Sequence, residues 1–195
     1  MVTPVARLTG EQVAIVAPAQ GAIQSMDDLV AALKADPGAV SWAGGSAGGV
    51  DHITAGLVAK AVGVDPTKVN YVAFSGGGEA LAAILGAQVS VGVSGYAEFA
   101  PQIEAGQLKL LAVSGESRMD GVDAPTLMES GVDVAIENWR MVAAGPDLTD
   151  EQKAAVLADV EKLATSDAWK AELAKRGWVD RYLAGDAFAA QLQKD

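Results

Sequence analysis

The stretch SWAGGSAGGVDHITAGL, residues 41–57, runs from an apolar segment through a cluster of glycines around Ser46 into a helical pattern. Gly44-x-Ser46-x-Gly48 matches the nucleophile-elbow pattern of α/β-hydrolases, in which the serine lies on a tight turn between a strand and a helix. A glycine-rich turn before a helix also leaves backbone N–H groups directed outward, and these attract an anion. A third interpretation is a tight connection in which small residues only allow close packing. All three place a strand before the turn and a helix after it.

The same order of strand, small-residue turn and helix recurs along the chain. Residues 11–19 form a β-branched run that leads into a helix whose Ser25 and Asp28 are spaced as a capping box. Residues 69–74 lead through SGGG into EALAAILG, and QVSVGVSG leads into YAEFAPQIEAG. The apolar run LKLLAVSG closes the series. Strands that alternate with helices favour a parallel sheet covered on both faces.

Three successive strand-to-helix junctions consist of small and hydroxyl-bearing residues: 44–49, 75–78 and 94–95. In open α/β sheets, ligands bind outside the carboxyl ends of the strands. Three such junctions favour close approach of the backbone to a ligand over tight packing alone.

The sequence changes in character after Gly115. Residues 132–145 predict a strand through a polar bend, and residues 148–163 predict an amphipathic helix with a capping box at Thr149 and Gln152. Two shorter helical segments follow, around Trp169 and Phe188. With several helices and about one strand, this region is expected to form part of a second layer.

Composition excludes several classes of function. The chain has 195 residues, of which 50% are hydrophobic and 5% aromatic, and its net charge is −11. This charge repels nucleic acid and acidic membrane surfaces, so no nucleic-acid partner is expected. The absence of cysteine excludes disulfides, thiolate metal sites and cysteine nucleophiles. The first residues lack the apolar segment of a signal peptide, so no export signal is expected in this sequence.

The chemistry available to Ser46 is limited by the histidine content. A hydrolase of this type requires a histidine far downstream of the serine, but the sequence contains a single histidine, His52, in the first turn of the helix that follows Ser46. The main prediction is therefore a protein without catalytic residues. The alternative prediction is a serine hydrolase that uses Ser46. Asp51 and His52 are the only neighbouring pair of metal-ligand type that includes a histidine, and the nucleotide-binding glycine patterns are absent, so neither a metal nor a cofactor is predicted.

Binding an anion without catalysis requires only hydrogen-bond donors, which the glycine-rich turns supply. The N–H groups after Gly48 and at 76–78, together with the hydroxyls of Ser46 and Ser75, could hold an anion, each charge-assisted bond contributing about 1.5–3 kcal/mol. Asp51 and Glu79 stand at the starts of the two helices, where they would repel an anion. Both are expected to point away and to cap their own helices.

Several motifs, taken together, resemble one family. They are GGSAGGVDHI, VNYVAFSGGGEALAAILGAQVSV, QIEAGQLKLLAVS, Arg118, APTLMESG and NWR. In this order they resemble the extracytoplasmic solute receptors of the tripartite tricarboxylate transporter family, the Bug-type proteins, and especially the tricarboxylate-binding branch. The resemblance runs from about Pro4 to the end of the sequence.

The resemblance implies an α/β fold of the type II periplasmic-binding-protein kind. Residues 13–114 would form one complete lobe with a parallel or mixed sheet, and residues 1–12 and 115–195 would form part of a second lobe. It implies a non-enzymatic receptor in the periplasm, or otherwise outside the cytoplasm, that delivers a small di- or tricarboxylate to membrane permease subunits. A remnant that binds nothing remains a further alternative.

The resemblance also implies ligand contacts in three groups. They are Ser46, Ala47, Gly48 and Gly49; Ser75, Gly76, Gly77 and Gly78; and Ser94 and Gly95. Val50 stands where such receptors often carry serine or threonine, which implies a missing hydroxyl contact and a different ligand. The resemblance also implies that the opening segment of the family is missing from this sequence, so we expect exposed apolar surface on the partial lobe and self-association through it.

Overall fold

The computed structural model of the chain describes residues 2–194; Met1 and Asp195, which the predicted partial lobe includes, lie outside them. The chain divides into two compact units, residues 12–138 and residues 2–11 with 139–194. The strands, in chain order, are β1 (Thr3–Gly10), β2 (Val13–Pro18), β3 (Ser41–Gly44), β4 (Asn70–Ala73), β5 (Val91–Gly95), β6 (Leu108–Val113), β7 (Arg140–Ala144) and β8 (Val179–Ala184). The α-helices are α1 (Met26–Ala35), α2 (Val50–Ala61), α3 (Gly77–Leu85), α4 (Tyr96–Glu104), α5 (Asp150–Ala164), α6 (Asp167–Arg176) and α7 (Gly185–Leu192).

The unit of residues 12–138 is built on a five-stranded sheet in the order β4-β3-β5-β2-β6. Strand β3 runs parallel to β4 and β5, whereas β2 runs antiparallel to β5 and β6. The sheet is therefore mixed, not wholly parallel as the alternation of strands and helices suggests. All six residues of β2 are buried. A strand buried on both faces has the same apolar pattern in either direction, so its sequence does not reveal its orientation.

Helices cover both faces of this sheet, which confirms the α/β fold class. Val13 and Ile15 of β2 belong to a core cluster that includes Leu29 of α1 and Val58 of α2. The alternate residues of β2, such as Val16, pack in a second cluster with residues of α3 and α4. Since successive side chains of a strand point to opposite faces, α1 and α2 lie on one face and α3 and α4 on the other.

This unit extends beyond residue 114, the predicted end of the complete lobe. The amide of Leu127 donates a hydrogen bond of 2.9 Å to the carbonyl of Val113, and the amide of Ile136 donates one of 2.9 Å to the carbonyl of Ser114. Leu127 is fully buried in the same core cluster as Val13. The turn-rich composition of residues 115–131 conceals these few buried apolar positions, which is why the boundary differs from the expected one.

The second unit contains a three-stranded antiparallel sheet in the order β7-β1-β8. Helices α5 and α7 pack against β1, and Val160 of α5 is buried with Val5 and Ala6 of β1. The capping box of α5 is confirmed, since Gln152 N–H donates to Thr149 Oγ1 and Thr149 N–H donates to Gln152 Oε1. Within residues 2–194, no helix combines the length and the apolar character needed to cross a membrane.

Candidate functional site

The three small-residue junctions lie together at one edge of the five-stranded sheet. Strands β3, β4 and β5 are mutually parallel, so their carboxyl ends share that edge. The amide of Phe74 donates a hydrogen bond of 2.9 Å to the carbonyl of Gly44, which joins the first two junctions. A methyl group added to Gly77 would lie 2.7 Å from Ser94 Oγ, so the second junction touches the third. The structure therefore brings together the three predicted groups of residues.

Each of the three helices at this edge begins without a side-chain cap. The N-cap residues of α2, α3 and α4 are Gly49, Gly76 and Gly95. Elsewhere the hydroxyls of Ser25, Thr149 and Ser166 cap α1, α5 and α6, while α7 also lacks a side-chain cap. The first N–H groups of a helix have no partner within the helix, and they carry the positive end of its dipole. This edge of the sheet thus presents uncapped helix starts.

The loop before α2 is open to solvent at Ser46, Ala47 and Gly48. Gly48 has a φ of +81°, which favours glycine over other residues. Its amide donates to His52 Nδ1 over 3.0 Å, and the amide of Gly49 donates to the carbonyl of Ser46 over 2.9 Å. Among the residues described, the amides of Ser46 and Ala47 and the Ser46 hydroxyl have no partner. These three donors remain available to a ligand.

The base of this loop is held by two side chains that meet at Gly45. Asp51 Oδ2 accepts a hydrogen bond of 2.8 Å from the amide of Gly45, and the Tyr71 hydroxyl donates one of 2.8 Å to its carbonyl. Burial raises the pKa of Tyr71, and the negative charge of Asp51 raises it further. The ring of Tyr71 stacks on His52 at a centroid distance of 4.4 Å. The sequence contains no pattern that links Tyr71 to this loop.

The loop before α3 is also exposed, at Ser75, and Gly78 in the first turn of the helix is exposed as well. The amide of Ser75 donates to Glu79 Oε2 over 3.2 Å. A side chain added at Gly76 or Gly78 would meet nothing within 4 Å, so the space in front of this helix start is open. Like Asp51, Glu79 accepts a hydrogen bond from an amide that precedes its own helix. Neither carboxylate caps the amides of the first helical turn.

The third junction is built differently. Ser94 and Gly95 are buried, and the Ser94 hydroxyl donates a hydrogen bond of 2.8 Å to Glu98 Oε2. A methyl group added to Gly77 would overlap the same carboxylate oxygen. The hydroxyl of Ser94 is therefore engaged within the chain, and Glu98 lies against the start of α3. Sequence reasoning missed Glu98, although an acidic residue in the first turn of a helix is the expected signal of such a contact.

In the part of the chain that the structure describes, no hydrogen bond joins a base to the Ser46 hydroxyl. His52 Nδ1 accepts the amide of Gly48, and its ring stacks on Tyr71. Among residues 2–194 no hydrogen bond joins His52 to Ser46, and no group of three or more histidine, aspartate or glutamate residues could hold a metal ion. Loops 44–49, 74–78 and 94–95 carry no lysine or arginine. Backbone amides and serine hydroxyls are thus the groups that this edge offers to an anion.

Comparison with known proteins gives a consistent result. The family model described as "Tripartite tricarboxylate transporter family receptor" matches residues 1–194. A curated relative from Cupriavidus necator, named "UPF0065 protein in gbd 5'region", is 31% identical over 160 residues, which cover 80% of this chain and 47% of the relative. The chain thus spans about half the length of this relative.

Two solved structures are also similar. A TctC solute binding protein from Polaromonas, solved without ligand, has a TM-score of 0.75 and 28% identity, over 99% of this chain and 66% of that protein. MatC from Rhodopseudomonas palustris, solved with bound malate, has a TM-score of 0.78 and 23% identity, over 91% of this chain and 60% of that protein. The second likeness shows the fold alone.

Proposed function

Because the chain belongs to the tripartite tricarboxylate transporter receptor family, we propose that it binds a small carboxylate at the loops before α2 and α3. The bound acid is then delivered to membrane components of the transporter, and binding takes place outside the cytoplasm. The chain acts by binding and release, with no chemical step. Malate in a structural neighbour is an example of such a ligand.

One observation carries this proposal: the uncapped starts of α2 and α3 follow the carboxyl ends of two neighbouring parallel strands, β3 and β4. Backbone N–H groups at a helix start hold a carboxylate well because the donors are fixed and the helix dipole favours negative charge. A carboxylate at this position needs no lysine or arginine. Each charge-assisted hydrogen bond contributes about 1.5–3 kcal/mol.

The predicted residues have different roles in this site. Ser46 and Ala47 supply amides and a hydroxyl, while Gly48 and Gly49 shape the turn that exposes them. Ser75 supplies a hydroxyl, and the amides of residues 76–78 supply the N–H groups of the α3 start. Ser94 and Gly95 contribute less directly, because both are buried and the Ser94 hydroxyl bonds Glu98.

The proposal is tested by blocking the α3 start. Gly78 is exposed and has open space where a side chain would begin, so Gly78→Leu covers the amides without a clash in the folded chain. Ala82→Leu, at an exposed position one turn later in α3, is the matched control. Isothermal titration calorimetry and thermal melting are measured with malate, citrate and succinate, since a ligand that binds only the folded state raises the melting temperature.

We expect one or more of these acids to bind the wild type and the Ala82→Leu variant, and to bind Gly78→Leu at least tenfold more weakly. Equal binding by both variants would remove the α3 start from the site. Covalent labelling of Ser46 by a fluorophosphonate would support the hydrolase alternative and overturn a purely binding role.

A further inference from the structure

Glu98 is an exposed carboxylate that is held in one position. The hydroxyl of Ser94, which is only 5% exposed, donates to Glu98 Oε2 over 2.8 Å. Because a buried hydroxyl needs a hydrogen-bond partner, Ser94 restrains the carboxylate. On its other side Glu98 lies against Gly77, the first residue of α3, where the absence of a side chain leaves room for it.

The position of Glu98 matters because α3 and α4 pack against each other on one face of the sheet. A negative charge on α4 is thereby placed at the start of α3, where the N–H groups of the first turn would otherwise meet a ligand. Glu79 adds a second carboxylate there through its bond to the amide of Ser75. The α3 start is therefore already supplied with negative charge from within the chain.

The start of α2 differs in one respect: like α3 it has an acidic residue of its own, but among the described residues no carboxylate from a neighbouring helix lies against its glycines. Its acidic residue, Asp51, is 7% exposed and bonds the amide of Gly45 at the base of the loop. The exposed amides of Ser46 and Ala47 face no such carboxylate in any hydrogen bond among the described residues. A ligand carboxylate is accommodated here at lower electrostatic cost than at α3.

We propose that Glu98 is a specificity-determining residue of the carboxylate site. It reserves the α2 start for the single carboxylate of the ligand and disfavours a second carboxylate at the α3 start. At the α3 start, the carboxylate of Glu98 instead accepts a hydrogen bond from a neutral group of the ligand, such as a hydroxyl. The ligand class is thus a short monocarboxylate with a hydroxyl at its far end, in preference to the dicarboxylate of equal length. This inference rests on the function proposed above.

The test compares ligand pairs that differ only in the far group. The pairs are succinate with 4-hydroxybutanoate, glutarate with 5-hydroxypentanoate, and adipate with 6-hydroxyhexanoate. Dissociation constants are measured by calorimetry for the wild type, Glu98→Gln and Glu104→Gln. Glutamine keeps an oxygen for the Ser94 hydroxyl and removes the charge. Glu104, exposed at the far end of the same helix, is the control.

For the pair of best-fitting length, we expect the wild type and Glu104→Gln to bind the hydroxy acid at least tenfold more tightly than the diacid. In Glu98→Gln this ratio falls at least tenfold. An unchanged ratio in Glu98→Gln, or a wild type that prefers the diacid, would overturn the role of Glu98 while leaving carboxylate binding intact. Failure of all three proteins to bind any of the six acids, or malate or citrate, would instead overturn both proposals.

A second measurement needs no ligand. The amide signal of Gly77 in nitrogen-edited NMR spectra reports the charge beside it. At neutral pH its position is expected to differ between the wild type and Glu98→Gln. Identical behaviour of the two proteins would show that Glu98 does not occupy the start of α3 in solution.

Discussion

The carboxylate of Asp51 and the amide of Gly45 are joined by a hydrogen bond of 2.8 Å that fixes the base of the loop before α2. Asp51 is 7% exposed, so the acceptor of this bond lies largely out of water. The Cβ atom of Asp51 also lies close to Gly44, where there is no room for a side chain. Asp51, in the first turn of α2, thus fixes the position of the loop that precedes the helix.

Replacing Asp51 is expected to destabilise the fold. Asp51→Ala keeps the Cβ atom but leaves the Gly45 amide without its charged partner, which costs about 1.5–3 kcal/mol. Asp51→Asn keeps an acceptor oxygen and is expected to cost less. Urea unfolding gives the free energies, with Asp159→Ala, at an exposed position in α5, as the control. Equal midpoints for Asp51→Ala and the wild type would contradict the role assigned to this bond.

Tyr71 is expected to make the free energy of unfolding depend on pH in the alkaline range. Its pKa is raised mainly by burial and further by the charge of Asp51. Above about pH 10 the unfolded chain loses the tyrosine proton while the folded chain keeps it, so the free energy of unfolding falls as the pH rises. Below that pH the contribution is fully present.

Urea unfolding between about pH 9 and about pH 11 tests this dependence, because the range brackets the ordinary tyrosine pKa. We expect a shallower loss of stability in Tyr71→Phe than in the wild type. Some loss remains, since burial also raises the pKa of Tyr96 and Tyr182. Tyr71→Phe also lacks the hydroxyl that bonds Gly45, so it is expected to be less stable by about 1 kcal/mol near neutral pH. Parallel curves for the two proteins would refute the titration of Tyr71.

Much of the unit of residues 12–138 follows from sequence because its signals are local. The apolar runs of β2, β3, β5 and β6 and the glycines before α2 and α3 are each readable within a few residues. The orientation of β2 is not, because it depends on which strands become its neighbours. The position of the boundary is hidden for a similar reason, since Leu127 joins the core through a segment that otherwise has the composition of a loop.

In the candidate site too, some features can be predicted from the sequence and others cannot. The small residues of its loops are visible in the sequence, but the groups that shape and charge them come from other elements. Tyr71 reaches Gly45 from β4, and Glu98 reaches Gly77 from α4. Such contacts join residues far apart in the chain, and a single sequence contains no pattern that pairs them. The local acids Asp51 and Glu79 could be recognised, whereas their effect on the loop amides could not.

In the other unit, one arginine makes both an ion pair and a cation–π contact. Arg140 Nη2 lies 2.9 Å from Glu11 Oε2, and the Arg140 guanidinium lies 4.7 Å from the centre of the Trp178 ring. The side chain of Glu11 is 8% exposed and that of Arg140 is 42% exposed. Without Arg140, the carboxylate of Glu11 would remain largely buried and without this cation.

Arg140→Ala is expected to lower the free energy of unfolding by about 2–3 kcal/mol, less than for a fully buried pair because Arg140 is partly in solvent. Arg118→Ala is the matched control, since Arg118 bonds Glu129 at 2.9 Å but both side chains are about half exposed. Exposed pairs contribute little, so the control is expected to stay close to the wild type in urea unfolding. Similar losses in the two variants would show that burial of Glu11 does not set the strength of the pair.

Gly44, at the end of β3, and Gly78, in the first turn of α3, are expected to differ sharply in their tolerance of a methyl group. At Gly44 an added Cβ would lie 2.7 Å from the backbone carbonyl of Val93 and 2.9 Å from the Cβ atom of Asp51. Neither atom can move without displacing a strand or a helix. At Gly78 an added Cβ would meet nothing within 4 Å. Gly44→Ala is therefore expected to destabilise the fold by about 1–3 kcal/mol or more, the usual range for overpacking.

Gly78→Ala is expected to be neutral or slightly stabilising, because alanine loses less backbone entropy than glycine in a helix. Thermal and urea unfolding of both variants measure the contrast. A stable Gly44→Ala protein would mean that the end of β3 is not packed against β5 and the start of α2 as described. The amides of Ser46 and Ala47 would then lack the fixed position that carboxylate binding at this loop requires, because their orientation depends on that packing.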